Sequence, residues 1–138
     1  MYGKFQHSID AKGRLFIPAR LREKLGDKFY VTISFEECLT IYTIERWRKA
    51  EEKLETMPQS AQMELRQLFA NAAEVELDGQ GRIPLTKDLR DFAGLMKNVT
   101  IIGTGLYVQI WDCEKYKVIE DKERNHDSLK NVIEKYGF

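Results

Sequence analysis

The 138-residue chain predicts an α+β fold with a mainly β core, made of tandem ββαββ repeats with flanking helices. Three observations carry this expectation. Asp10-Ala11-Lys12-Gly13-Arg14 returns 68 residues later as Asp78-Gly79-Gln80-Gly81-Arg82. The likeness continues past the motif: Leu21-Arg22 matches Leu89-Arg90, Gly26 matches Gly94, and Val31 and Ile33 match Val99 and Ile101. After a one-residue slip, Ile41 and Glu45 match Ile110 and Glu114, with Tyr42 facing Trp111 and Trp47 facing Tyr116. Each motif lies between two strand-like stretches, and a self-similar chain is read as repeats before anything else.

The elements follow in order. Tyr2 to Ile9 alternates, with Phe5, His7 and Ile9 on one face and Gln6 and Ser8 on the other, the period of a strand. Asp10 to Gly13 is a turn, because Asp accepts hydrogen bonds from backbone N–H groups just ahead of it and Gly13 tolerates positive φ. Leu15-Phe16-Ile17 is a short strand, and Pro18 opens a helix over Ala19–Leu25 that stops at Gly26. Phe29–Ile33 and Leu39–Tyr42 are a further strand pair. Thr43 is placed to cap a helix from Ile44 to about Met57, whose apolar side carries Ile44, Trp47, Leu54 and Met57. Pro58 interrupts it, and Ser60 is the expected cap of a connecting helix bearing Met63, Leu65, Leu68 and Phe69.

The second unit repeats the scheme. Glu74–Leu77 and Arg82–Leu85 are strands around the Asp78–Gly81 turn, and Thr86 caps a helix to Ala93 that ends at Gly94. Asn98–Gly103 and Tyr107–Trp111 are strands, and a helix starts near Asp112. Asn125–Ser128 breaks it, after which Leu129, Val132, Ile133 and Tyr136 recur at helical spacing. The expected division is 1–57 for the first repeat with its helix, 58–72 for a connecting helix, 73–125 for the second repeat with its helix, and 126–138 for a C-terminal helix. A 68-residue unit is marginal for a core of its own, so the two units are expected to share one.

Composition narrows the function. Hydrophobic residues make up 43% and charged residues 32%, an ordinary soluble profile. No apolar run spans a membrane, and the N-terminal residues lack a signal-peptide stretch, so a cytoplasmic protein without a membrane partner is expected. Cys38 and Cys113 occupy unmatched repeat positions, lie in no metal-ligand spacing, and read as buried thiols. No metal, cofactor or small-molecule substrate is expected. No nucleophile–base set or phosphate loop can be placed, which argues against an enzyme.

The net charge is zero, yet its distribution is uneven. Residues 1–30 carry Lys4, Lys12, Arg14, Arg20, Arg22, Lys24 and Lys28 against Asp10, Glu23 and Asp27, a net of +4. The equivalent stretch 73–98 has a net of −1. A basic face on a neutral chain points to nucleic acid more than the total does. Arg14 can fork onto a guanine edge or a phosphate, Lys12 can meet phosphate, and Lys4, Arg20, Arg22 and Arg82 complete the candidate DNA-binding set. Asp10, Gly13, Asp78 and Gly81 are the turn-forming residues. His7 reads as a sheet residue and His126 as a solvated one. A purely structural turn with an internal Asp–Arg pair stands beside the DNA reading, above all for Arg82.

The string Tyr2-Gly3-x-Phe5-Gln6-His7-Ser8-Ile9-Asp10-x-Lys12-Gly13-Arg14-Leu15-x-Ile17-Pro18-Ala19 resembles the opening of MraZ proteins. These are bacterial transcriptional regulators associated with the division and cell-wall gene cluster. Glu76-Leu77-Asp78-x-Gln80-Gly81-Arg82-Ile83 resembles the same family's internal copy. The resemblance implies an AbrB/SpoVT-like swapped-hairpin barrel, closed here within one chain. It implies a ring-shaped homo-oligomer, association with the nucleoid, and binding to direct repeats in double-stranded promoter DNA upstream of its own operon. The second copy departs from the first in Pro84-Leu85-Thr86-Lys87-Asp88, which puts Asp88 where the first has Arg20. The alternatives are an oligomeric scaffold that binds no DNA, which the neutral total charge favours, and an antitoxin of the same barrel type. An antitoxin of that type usually has one copy and a disordered tail.

Overall fold

The computed structural model describes residues 1–124 and 126–138, with His126 described in its backbone alone. The ββαββ unit occurs twice. The first comprises β1 (Tyr2–Ser8), β2 (Arg14–Phe16), α1 (Ala19–Leu25), β3 (Lys28–Ile33) and β4 (Leu39–Thr43). Helices α2 (Ile44–Thr56), α3 (Gln59–Glu64) and α4 (Arg66–Ala70) lead to the second. That unit comprises β5 (Ala73–Glu76), β6 (Arg82–Pro84), α5 (Lys87–Ala93), β7 (Asn98–Thr104) and β8 (Val108–Asp112). Helices α6 (Cys113–Glu123) and α7 (His126–Tyr136) follow.

The units are interleaved. The six-stranded sheet has the order β1-β7-β8-β4-β3-β5, so each unit's first strand leaves its own unit and pairs with the other. β1 runs antiparallel to β7 from Tyr2↔Thr104 to Ser8↔Asn98, and β5 runs antiparallel to β3 from Lys28↔Glu76 to Val31↔Ala73. β4 and β8 join at the centre through Leu39↔Ile110 and Ile41↔Val108. The short strands form a separate ribbon, β2 against β6, with Arg14↔Pro84, Leu15↔Ile83 and Phe16↔Arg82.

The exchange lets both units fill a common core. Leu15, Ile17, Leu21, Phe29 and Val31 of the first unit and Ile83, Leu89, Val99, Ile101 and Ile110 of the second fill one buried cluster. Neither set would exclude water alone, whereas together they bury apolar area at about 25 cal/mol per Å².

Side-chain caps lie where the sequence places them. Thr43 accepts from the Arg46 N–H and Thr86 from the Leu89 N–H, and Asp112 does the same for Lys115 at the start of α6. The connecting helix differs from expectation. The carbonyl of Pro58, not the hydroxyl of Ser60, starts it, by accepting from Ala61 and Gln62 N–H. Leu65 then divides it into two short helices. The Gln62 amide reaches back to the carbonyls of Leu54, which also accepts from Met57 N–H, and of Met57, and so tethers the end of α2.

Trp47 is buried outside the main cluster. Its ring stacks on Tyr30 with centroids 5.0 Å apart and meets Phe69 at 5.1 Å, which clamps α2 and α4 onto the outer face of β3. The apolar stripe of α7 is exposed at Leu129, Val132, Ile133 and Tyr136. The expected break at Asn125–Ser128 is shorter than four residues, since α7 begins at His126. Asn125 and the His126 side chain lie outside the described residues. Among the described residues no helix is long and apolar enough to cross a membrane.

The two thiols differ, which corrects the expectation that both are buried. Cys38 is enclosed, and burial pushes its thiol up to about 11. Cys113, the first residue of α6, is only partly covered. A thiolate is the reactive form, so at pH 8 an alkylating reagent is expected to label Cys113 well before Cys38. Peptide mass spectrometry over a time course checks the order, and equal labelling rates would contradict it.

Candidate nucleic-acid interface

The two Asp-x-x-Gly-Arg segments fold as near copies. In the first, Asp10 Oδ1 accepts from the backbone N–H of Lys12 at 3.0 Å and of Arg14 at 2.9 Å. Its Oδ2 accepts from Arg14 Nε at 2.8 Å. In the second, Asp78 Oδ1 accepts from the N–H of Gln80 and of Arg82, each at 2.9 Å, and Oδ2 accepts from Arg82 Nε at 2.9 Å. Gly13 at φ +77° and Gly81 at φ +76° supply the left-handed residue that reverses each chain. One carboxylate therefore does two jobs: it closes the turn through the backbone and fixes the direction of the arginine that follows the turn glycine.

The interleaving brings the two turns together. Ile17 N–H donates to the Gly81 carbonyl and Leu85 N–H to the Gly13 carbonyl, each at 2.9 Å. Arg82 Nη1 lies 3.6 Å from Asp10 Oδ2, so the first turn's carboxylate faces both arginines. A guanidinium carries five N–H donors in a planar fork, and the Nε bond to aspartate engages one of them. Both arginines stay partly exposed. The product is a short β-ribbon with two oriented, charged forks at its ends, a shape that the DNA major groove accommodates. Lys12 stands exposed on the first turn, and Gln80 takes its place on the second.

The aspartates are held below the ordinary carboxylate value of 3.8, chiefly by the backbone N–H of Arg14 for Asp10 and of Arg82 for Asp78. A depressed carboxylate contributes order that is fully present above 3.8 and is lost as the pH falls through the lower folded-state value. The turns are therefore expected to stay formed at neutral pH and to loosen only in acid below that value. Amide resonances of Gly13 and Gly81 followed from pH 7 to pH 2 test this, and loosening that begins near pH 6 would contradict it.

The other candidates are placed differently. Arg20 is exposed on α1, its guanidinium carbon 5.8 Å from the centre of the Phe5 ring. Lys4 is paired with Glu120 of α6 at 2.7 Å, 116 residues away. His7 packs on Phe16 with ring centroids 5.1 Å apart. Arg22 is half-buried, its guanidinium 5.3 Å from the centre of Phe16. Arg90, which sequence reasoning did not single out, lies against the first turn. The signal for it was present: Leu21-Arg22 and Leu89-Arg90 are matched positions, and the basic residue recurs in a copy whose net charge over residues 73–98 is −1. Among the described residues no three His, Cys, Asp or Glu side chains gather as a metal site.

Comparison with known proteins places both units in one family. The family model described as "MraZ protein, putative antitoxin-like" matches twice, over residues 1–67 and 68–134. A protein of Acetivibrio thermocellus named Transcriptional regulator MraZ is 43% identical over 99% of this chain and 96% of its own length. Proteins of the same name from Heliobacterium modesticaldum and Alkaliphilus metalliredigens are 44% and 38% identical, over 96% and 99% of this chain. They are covered over 94% and 98% of their own lengths.

Proposed function

Because this chain belongs to the MraZ family, we propose that it is a regulator of transcription that binds double-stranded DNA sequence-specifically through its paired arginine turns. The chain is not an enzyme. The observation that carries the proposal is the ribbon itself: Arg14 and Arg82, each oriented by its own aspartate, stand on two adjoining strands with Lys12 beside them. Arg14 would read a guanine edge or grip a phosphate, and Lys12 would add a phosphate contact. Arg20, on the exposed side of α1, would extend the phosphate grip. Arg82 would contribute less, because part of its guanidinium faces Asp10. Lys4 would join only by leaving Glu120.

The targets would be direct repeats in the promoter upstream of the division and cell-wall gene cluster, and the protein would work in the cytoplasm, at the nucleoid. The interleaved strand order supports a swapped-hairpin barrel, with each unit lending its first strand to the other. A ring-shaped homo-oligomer would present several ribbons to successive repeats, and linked sites raise avidity without new contacts. Native mass measurement followed by a band shift on the protein's own upstream region tests the proposal. A shifted band that survives competitor DNA supports it. Stable oligomers with no preference for any promoter fragment would support the scaffold reading instead, which the exposed apolar stripe of α7 also favours.

A further inference from the structure

We propose that Arg22 and Arg90 are crossed positioning residues, each seating the turn of the opposite repeat and so aiming that repeat's DNA-facing arginine. This rests on the DNA-binding reading above. The matched helices α1 and α5 each send one arginine across the pseudo-symmetric junction. A Cβ placed on Gly81 would fall 2.6 Å from Arg22 Nη1 and 3.2 Å from Phe16, so the Arg22 guanidinium fills the space behind the second turn. A Cβ placed on Gly13 would fall 3.3 Å from both Cζ and Nη2 of Arg90, which occupies the same place behind the first turn. Both glycines are themselves buried. Arg90 is fixed in turn by its Nε, which donates to the Leu85 carbonyl, and Leu85 N–H holds the Gly13 carbonyl. Arg22 rests on Phe16, the cross-strand partner of Arg82. Among the described residues its Nε is buried without a hydrogen-bond partner, so this arginine holds its place at an electrostatic cost.

The roles are therefore crossed: Arg90 serves Arg14, and Arg22 serves Arg82. A residue that only stabilised the fold would loosen both turns together, and one that touched phosphate would leave both turns unchanged.

Hydrogen exchange on the full-length protein without DNA tests the crossing. Arg90→Met is expected to speed exchange in residues 10–14 and spare 78–82, and Arg22→Met to do the reverse. Arg90→Lys and Arg22→Lys, which keep the charge but lack the planar group, are expected to give the same crossed pattern and serve where a methionine variant melts early. With promoter DNA, Arg90→Met is expected to lose roughly tenfold in specific affinity with an unchanged slope of log K against log salt concentration. Uniform loosening, no loosening, or a slope reduced by about one unit as for a lost phosphate contact would each overturn the proposal. The exchange experiment contains no DNA, so its failure is separable from a failure of wild-type protein to bind the promoter.

Discussion

Arg14→Ala is expected to abolish specific promoter binding while leaving the melting temperature close to that of the parent. The side chain is partly exposed, and it is tied to Asp10 by a part-exposed ion pair of small worth to folding. Its worth to binding is larger. A bidentate arginine contact contributes about 1–3 kcal/mol of discrimination, roughly 5- to 150-fold per site. An oligomer engaging several direct repeats would compound that loss. Arg82→Ala is expected to weaken binding less. Its side chain is 25% exposed against 31% for Arg14, its Nη1 faces Asp10, and its neighbours Gln80 and Asp88 stand where the first copy has Lys12 and Arg20. Fluorescence anisotropy at one fixed salt concentration, with both variants and an unrelated duplex, checks the order. Equal losses would mean that both turns bind alike, and an unaffected Arg14→Ala would remove the turn from the interface.

The second large effect is on folding. Ile83 and Leu15 are wholly buried and face each other across the β2–β6 ribbon, one from each repeat. Ile83→Ala removes three carbons from the junction and is expected to cost about 3 kcal/mol, a large part of the 5–15 kcal/mol by which domains are stable. Because the cluster is common to both repeats, the loss should fall on both at once. The two tryptophans make this measurable, since Trp47 follows the first unit and Trp111 lies in the last strand of the second. Single-tryptophan variants in urea are expected to give coincident midpoints, shifted together by Ile83→Ala. A midpoint that moved for Trp111 and stayed for Trp47 would show two independent cores.

What is legible in the sequence alone is local. Asp10, Gly13 and Arg14 declare a turn because a short carboxylate, a residue without Cβ and a long donor act over five positions. Thr43 and Thr86 declare helix starts for the same reason. The repeat gave the ββαββ order directly. Partner choice was not legible, because nothing in Phe5 or Leu15 states that its neighbour lies at Ile101 or Ile83. Lys4 and Arg22 show the consequence for the candidate site. Both read as positive charge available to DNA, and both meet residues far along the chain, Glu120 and Gly81, that only the interleaved topology brings near. Composition counts charges, whereas the fold decides which of them are already paired or half-buried.

Side-chain Nε–Hε resonances of labelled arginine, followed while promoter duplex is titrated into the intact protein, examine the interface atom by atom. The Arg14 and Arg82 signals should shift and saturate together with binding, Arg14 by more, as their forks meet DNA. Promoter binding that saturates with both signals unmoved would show that the ribbon faces elsewhere.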